Sequence, residues 1–481
     1  MTVNSDRAQP TSAEPTAIRL DRRTRITLVG VALAAFVSVL NGTTVTALLG
    51  PLGTALQADL ATIVWVTTSY LIAASLALPL TGWLTDRFGA RTVMLVGVAG
   101  FVGGSLLCAF AWDVSSLIAF RLIQGAAGGM LEPTAMAIAG MITPRARMGR
   151  VMGLISMVIN VGPIAGPLIG SLLINLGGWR WIFLINVPLG LVVAVIAWRF
   201  LDRGTGDRTG TRIDLIGLAL LPPGFVLILL GINRWGAGAD SLLTWPLCLV
   251  GLIMIAGYLR HALRTSTPPL LDVRLLRIAP FAAALMIMSA VGLTMYVQLT
   301  VLPLFGERAL DQLAGLAGFA QALPVAALGL GLLVSMTWSA GASDQRGPRV
   351  LVRVGATGTA VVAVLILLTR TTLPANAATP ILFGLFVLVG LFFGCIAAPT
   401  FSSVYRVLPA ADIAQGNTAM FIVVQLFASA GVTAVALITA VAPDVLGGAY
   451  LFVGVLALIT LILSHWLPGR PVADGIGHSP G

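Results

Sequence analysis

The chain has 481 residues, of which 58% are hydrophobic and only 10% charged, with a mean hydropathy of +0.99. That little charge cannot cover the surface of a water-soluble protein of this length, so soluble enzymes and soluble binding domains are excluded as a class. The net charge of +10 rests on arginine alone, since all 28 basic residues are arginine, a bias that fits a G+C-rich bacterial genome. Without lysine the phosphate-cradling G-x-x-x-x-G-K-[ST] loop is impossible, which excludes an ordinary ATPase of that type.

Residues 1–25 are polar and carry Arg19, Arg22, Arg23 and Arg25. This segment is too long and polar for a signal-peptide n-region, and the run after it is too long for an h-region. It is read as a cytoplasmic tail before an uncleaved helix. Apolar runs follow at 26–49, 63–84, 92–112, 117–141, 150–176 and 181–200. Two more lie at 213–231 and 245–259, and six at 280–305, 313–338, 350–368, 380–405, 418–442 and 447–466. A hydrocarbon core about 30 Å thick needs roughly 20 apolar residues per span, so fourteen spans use about 280. The expected fold is an all-α membrane protein with a six-helix N-terminal half (26–200) and an inserted two-helix linker region (201–279). A six-helix C-terminal half (280–468) and a short cytoplasmic tail (469–481) complete it.

Arginine placement tests that count. With both termini inside, 23 arginines fall in cytoplasmic segments and four in outer loops (Arg180, Arg234, Arg308 and Arg370), leaving Arg121 within a helix. This is the asymmetry of the positive-inside rule, and adding or dropping one helix scrambles it. Cys108, Cys248 and Cys395 sit inside apolar runs as small core residues. His261, His465 and His478 fall in loops or the tail and read as solvated. No catalytic triad or metal-ligand cluster is visible, so no enzyme activity, cofactor, metal or nucleic-acid partner is expected.

Three motifs stand out. After the second helix comes Gly82-Trp-Leu-Thr-Asp86-Arg87-Phe-Gly89-Ala-Arg91. After the tenth comes Ala340-Gly-Ala-Ser-Asp344-Gln-Arg346-Gly347-Pro-Arg349, with the aspartate, second glycine and last arginine recurring 258 residues later. Such parallel repeats build transporters with a site between two halves, although short membrane loops also favour these residue types. Gly82 reads as a point of close backbone approach, Gly89 as a tight turn, and Asp86 as an acceptor for helix-terminal N–H groups or arginine, together a cytoplasmic latch. The fourth helix carries Arg121-Leu-Ile-Gln124-Gly125, and a guanidinium at that depth needs a polar partner. The fifth helix carries Gly162-Pro163, Gly166-Pro167 and Gly170, a smooth packing stripe with prolines that bend the helix, read as a hinge or seal.

At these residues the chain resembles the major facilitator superfamily. Gly82–Arg91 is similar to its signature loop, Arg121–Gly125 to its fourth-helix motif, and Gly162–Gly170 to the antiporter motif of its drug exporters. Trp179-Arg180-Trp181-Ile-Phe183-Leu-Ile-Asn186-Val-Pro188-Leu-Gly190 resembles the start of the sixth helix in the fourteen-helix drug:proton antiporter family. The resemblance covers residues 25–468 and implies the major facilitator fold, two halves moving about a central cavity. Departures are as informative. Where the family has an aspartate in its first helix, this chain has Leu40-Asn41-Gly42-Thr43, and Asn41 cannot exchange a proton. Glu307 stands where relatives commonly have glutamine, and Ala340 replaces the first glycine of the second loop copy.

The resemblance implies a proton-coupled efflux transporter, a drug or natural-product:proton antiporter exporting a lipophilic small molecule by alternating access. Its energy source would be the proton gradient, and its partners the bilayer, protons and substrate, with the protein acting as a monomer in the plasma membrane. Tyr70, Gln124, Asn160, Tyr296, Gln298 and Gln425 are candidate cavity residues, being polar or aromatic in apolar spans; each would serve equally as a helix–helix hydrogen bond. Glu132 is the one acidic residue deep in the membrane and the candidate proton site, with Arg121, Asn41 and Glu307 as accessories. Gly128, Gly129 and Pro133 around it suggest local unwinding. Two alternatives are an uncoupled facilitator, which Asn41 favours, and a transport-dead sensor or accessory subunit.

Overall fold

The computed structural model describes residues 21–143, 148–202, 214–236, 241–265, 269–270, 273–310, 320–409, 413–442 and 444–469. Among them every regular element is helical. The chain runs through α1 (Arg22–Ala47), the short α2 (Leu49–Leu56), α3 (Leu60–Phe88), α4 (Ala90–Ala109) and α5 (Val114–Ile142). It continues with α6 (Met148–Gly177), the short α7 (Trp181–Leu184), α8 (Asn186–Phe200), α9 (Leu215–Gly236) and α10 (Ser241–Arg264). The remainder is α11 (Ala279–Leu310), α12 (Ala322–Arg346), α13 (Pro348–Thr372), α14 (Ala375–Val407), α15 (Ile413–Val441) and α16 (Val445–Leu463).

Over the described residues, 12 helices are long and apolar enough to cross a membrane, which makes this a multi-pass membrane protein. Helices α6 and α12 stand where the fifth and tenth spans are expected, with shorter described apolar stretches, Ala165–Gly177 and Ala322–Met336. Two apolar runs are divided. The first stops at Ala47 and turns at Leu48 into α2, and the sixth is interrupted at Ile185 between α7 and α8. Helix starts follow from local chemistry. Asp21, Asp59 and Asp113 each accept a backbone N–H three residues on, at 2.9, 3.2 and 2.7 Å, so α1, α3 and α5 begin on side-chain caps.

The loop repeat is reproduced in backbone geometry. Gly89 closes α3 and opens α4 at φ 81°, ψ 146°; Gly347 closes α12 and opens α13 at φ 80°, ψ 151°. Only glycine adopts these angles without strain. Two residues on, Arg91 donates to the Trp198 carbonyl near the end of α8 at 2.5 Å, and Arg349 donates to the Leu467 carbonyl beyond α16 at 2.8 Å. Each arginine thus ties its turn to the last helix of its own half. The close approach expected at Gly82 is not found. Nothing lies within 4 Å of the position its Cβ would take, because α3 is exposed at that residue. Arg87 lies over the Trp83 and Phe88 rings instead, at 5.2 and 5.8 Å. The side chains of Asp86 and Asp344 lie outside the described residues.

Lipid is as apolar as a leucine side chain, so helices associate here by close packing rather than by the hydrophobic effect. Helix α5 meets α3 through Gly125 and Gly129: a Cβ at Gly129 would sit 2.5 Å from the Ala74 carbonyl oxygen. One buried cluster is built mainly from α1–α8 and two from α11–α16, with their flanking turns. Helices α9 and α10 pack on each other, and α9 also touches α3 and α15. At their base Asp214 is buried, accepts from the Gly217 N–H at 2.8 Å and lies 2.7 Å from His261 Nε2. His261 is therefore held by a carboxylate rather than simply solvated. His465 Nδ1 likewise lies 3.1 Å from Arg353 Nη2, and His478 is outside the described residues.

Candidate functional site

Helix α5 carries both Arg121 and Glu132. Arg121 is fully buried and fastens three other helices to α5. Its Nε donates to the Val66 carbonyl on α3 at 3.0 Å. Its Nη1 donates to Asn41 Oδ1 on α1 at 2.5 Å and to Gln124 Oε1 at 2.7 Å. Gln124 Nε2 donates in turn to Ser105 Oγ on α4 at 2.6 Å. The guanidinium lies over the Tyr70 ring at 4.1 Å, a cation–π contact strengthened by desolvation. Among the described residues no carboxylate pairs with it. Asn41, standing where the resemblance implies an aspartate, supplies a neutral acceptor. Gln124 belongs to this network and does not line the cavity, correcting its expected role: its amide is spent on Arg121 and Ser105.

Tyr70 also lines a cavity bounded by helices of both halves. Helices α1, α3 and α5 supply Ser38, Tyr70, Leu78 and Glu132; α11 and α15 supply Tyr296, Phe421 and Gln425. The Tyr70 hydroxyl donates to the Ser38 carbonyl at 3.1 Å, and the Ser38 hydroxyl donates to the Gly128 carbonyl at 2.9 Å. These bonds fix one wall. Glu132 is half-buried and is the one acidic side chain among the lining residues. It stands eleven residues beyond Arg121, about 16 Å along a straight helix at 1.5 Å per residue.

The unwinding expected around Glu132 does not occur. Helix α5 is continuous from Val114 to Ile142 with Pro133 inside it. Its glycines are engaged in contact instead. A Cβ at Gly128 would meet the Tyr70 hydroxyl at 2.6 Å, and Gly129 abuts the Ala74 backbone, so neighbouring helices hold the segment in helical form.

Of the other candidates, Tyr70, Tyr296 and Gln425 line the cavity with Glu132. Gln298 is buried elsewhere, with neither amide atom hydrogen-bonded. Glu307 accepts from Gln321 Nε2 at 2.5 Å and lies beside Gly50 of α2, remote from the cavity wall at the far end of α11. The side chain of Asn160 lies outside the described residues. The stripe on α6 packs tightly on α1. A Cβ at Gly162 would meet Val39, one at Gly166 would meet Thr43 and Thr44, and one at Gly170 would meet Leu48. Thr43 and Thr44 hydroxyls donate to the Gly162 and Gly166 carbonyls at 3.2 and 3.0 Å. Pro167 is buried beside that seam, and the Pro163 side chain is outside the described residues. Sequence reasoning missed Ser38 and Phe421. Each lies about one turn from a residue it did find, Ser38 before Asn41 and Phe421 before Gln425, and helical spacing was the available signal.

Comparison with known proteins agrees with this architecture. The family described as the Major Facilitator Superfamily matches residues 31–432. The chain is 33% identical over 381 residues to a protein named multidrug resistance protein B homolog of Mycobacterium tuberculosis, covering 77% of this chain and 68% of that one. It is 31% identical over 265 residues to the tetracenomycin C resistance and export protein of Streptomyces glaucescens, covering 54% of this chain and 49% of that relative. Among solved structures, a POT family transporter in complex with a thioalcohol-conjugated peptide superimposes with a TM-score of 0.69 at 16% identity, covering 91% and 94% of the two chains.

Proposed function

This chain belongs to the major facilitator superfamily, and we propose that it is a proton-coupled exporter of a lipophilic small molecule, working by alternating access between its two halves. One observation carries the reading. A single carboxyl, Glu132 on α5, lines a cavity whose opposite wall is Tyr296, Phe421 and Gln425 from the other half. Its lining combines apolar side chains with a few polar groups, as small-molecule sites require. The relative named for tetracenomycin C resistance and export supports export of a compound of this kind.

In this reading Glu132 alternates between a protonated and an ionised state as the cavity opens to either side. Substrate and proton compete for the same wall, so each displaces the other and their movements are coupled in opposite directions. Arg121 holds α1, α3, α4 and α5 as one body, so that the half moves rigidly. The α1–α6 seam at Gly162, Gly166 and Gly170 makes a dry contact that a proton does not cross.

One observation favours uncoupled facilitation: Arg121 pairs with a neutral Asn41, so no carboxylate titrates there. Purified protein in sealed vesicles separates the readings. A coupled exporter concentrates substrate when a pH gradient is imposed, a facilitator only equalises it, and a transport-dead protein moves none. With both termini cytoplasmic, a cysteine at position 205 or 266 reacts with an impermeant thiol reagent only after permeabilisation; rapid labelling of intact cells reverses the assignment.

A further inference from the structure

The inserted helix α9 is more than a connector. It touches α3 of one half and α15 of the other, and so lies across the seam between them. Phe225 of α9 packs into a small cluster with Leu78 of α3 and Ile422 and Leu426 of α15, and Phe421 packs against the same cluster. Its ring centroid is 5.9 Å from that of Phe427. Leu78 and Phe421 also line the central cavity. One layer of side chains therefore separates the cavity from Phe225, which is half-buried on a helix of which only 28% is buried over Leu215–Ile232.

The level of this contact is consistent along all three helices. Leu78 lies ten residues before the end of α3, Ile422 nine after the start of α15, and Phe225 ten after the start of α9. At 1.5 Å per residue each is about 15 Å from that end of its helix, at the depth of the acyl chains. The backbone of α9 is weakened at the same place. Pro222 and Pro223 sit inside the helix immediately before Gly224 and Phe225, and each proline removes one helical hydrogen bond. A helix that meets the seam through an aromatic side chain beside a double proline has a ready place to bend.

We propose that the α3–α15 seam is a side passage through which a bilayer-dissolved lipophile reaches the cavity, with α9 as its cover and Phe225 as the plug. The proposal rests on the exporter reading above and specifies where its substrate comes from. An amphiphile partitioned into the acyl region meets Phe225 first, then Leu78 and Phe421, and then Glu132 and the tyrosine hydroxyls.

The test links the cover shut. Phe225→Cys and Phe427→Cys are introduced into a background with Cys108, Cys248 and Cys395 replaced by alanine, and the pair is joined by a short bifunctional, reducible thiol reagent. Vesicles are loaded with two dyes sharing one rhodamine headgroup, one carrying an alkyl tail that holds it in the bilayer and one water-soluble. The expected result is loss of pH-driven export of the tailed dye, recovered on reduction, while the soluble dye is still exported. Export of both dyes at the unlinked rate overturns the passage. Loss of both overturns it too, since the link then stalls the transport cycle itself. Failure of unlinked wild-type protein to export either dye against a gradient overturns the exporter reading instead, so the two failures are distinct.

Discussion

Glu132→Gln isolates the coupling step. The amide keeps the size of the side chain and can still hydrogen-bond, but it cannot exchange a proton. Because Glu132 is the one acidic residue lining the cavity, at most one proton is exchanged there per substrate. One pH unit is worth about 1.36 kcal/mol per proton, or about tenfold in concentration for a neutral substrate. Vesicles with an imposed gradient of one unit should therefore accumulate substrate toward a limit of about tenfold with the wild-type protein. With Glu132→Gln the internal and external concentrations should become equal, while downhill exchange of labelled substrate persists. The assay is radiolabel or dye accumulation against time, with the gradient collapsed by an ionophore as control. A variant that still concentrates substrate and still responds to the gradient would refute the assignment. Glu307 would then be the next carboxyl to replace, despite its hydrogen bond from Gln321.

Asn41→Asp should raise Tm in detergent, because Arg121 gains a counter-charge; hydrogen bonds to charged groups contribute about 1.5–3 kcal/mol against about 1 for neutral ones. A lower Tm would mean that desolvating the new carboxylate costs more than the pair returns. Gly129→Val should destabilise by about 1–3 kcal/mol through overpacking, since its Cβ would press on the Ala74 backbone; unchanged Tm and transport would show that α3 and α5 separate readily. Asp113 is held below the usual carboxylate range by the Ser116 backbone N–H and hydroxyl. Its contribution to the start of α5 is therefore present above the unfolded pKa and lost as pH falls through the lower folded value. Protection of the Ser116 and Leu117 amides, read as hydrogen exchange corrected for its intrinsic pH dependence, should fall on that acid side in wild type, and Asp113→Ala should show no such step.

The sequence alone determined the solvent, the helix positions and the two-fold repeat. Twenty-residue apolar runs have no other stable home than lipid, where every backbone group must bond within its own helix, so span positions are written locally. Gly89 and Gly347 were equally legible, because a tight turn of positive φ selects glycine wherever it occurs. The glycine stripe of α6 was legible for the same kind of reason: a four-residue period of small side chains has one use in a bundle. Partnership between helices was not legible. Periodicity shows that Gln124, Gln298 and Tyr70 are polar or aromatic groups in apolar spans, but not which neighbour each one faces. Tertiary packing assigned Gln124 to Arg121, left Gln298 outside the cavity and turned Tyr70 toward both the guanidinium and the cavity. It also kept α5 continuous through Gly128, Gly129 and Pro133, a stretch whose local chemistry favours a break, because close contact with Tyr70 and Ala74 outweighs one missing backbone bond. The placement of α9 over the α3–α15 seam belongs to the same class: it joins residues about 150 to 200 positions apart, and no local pattern encodes a contact at that distance.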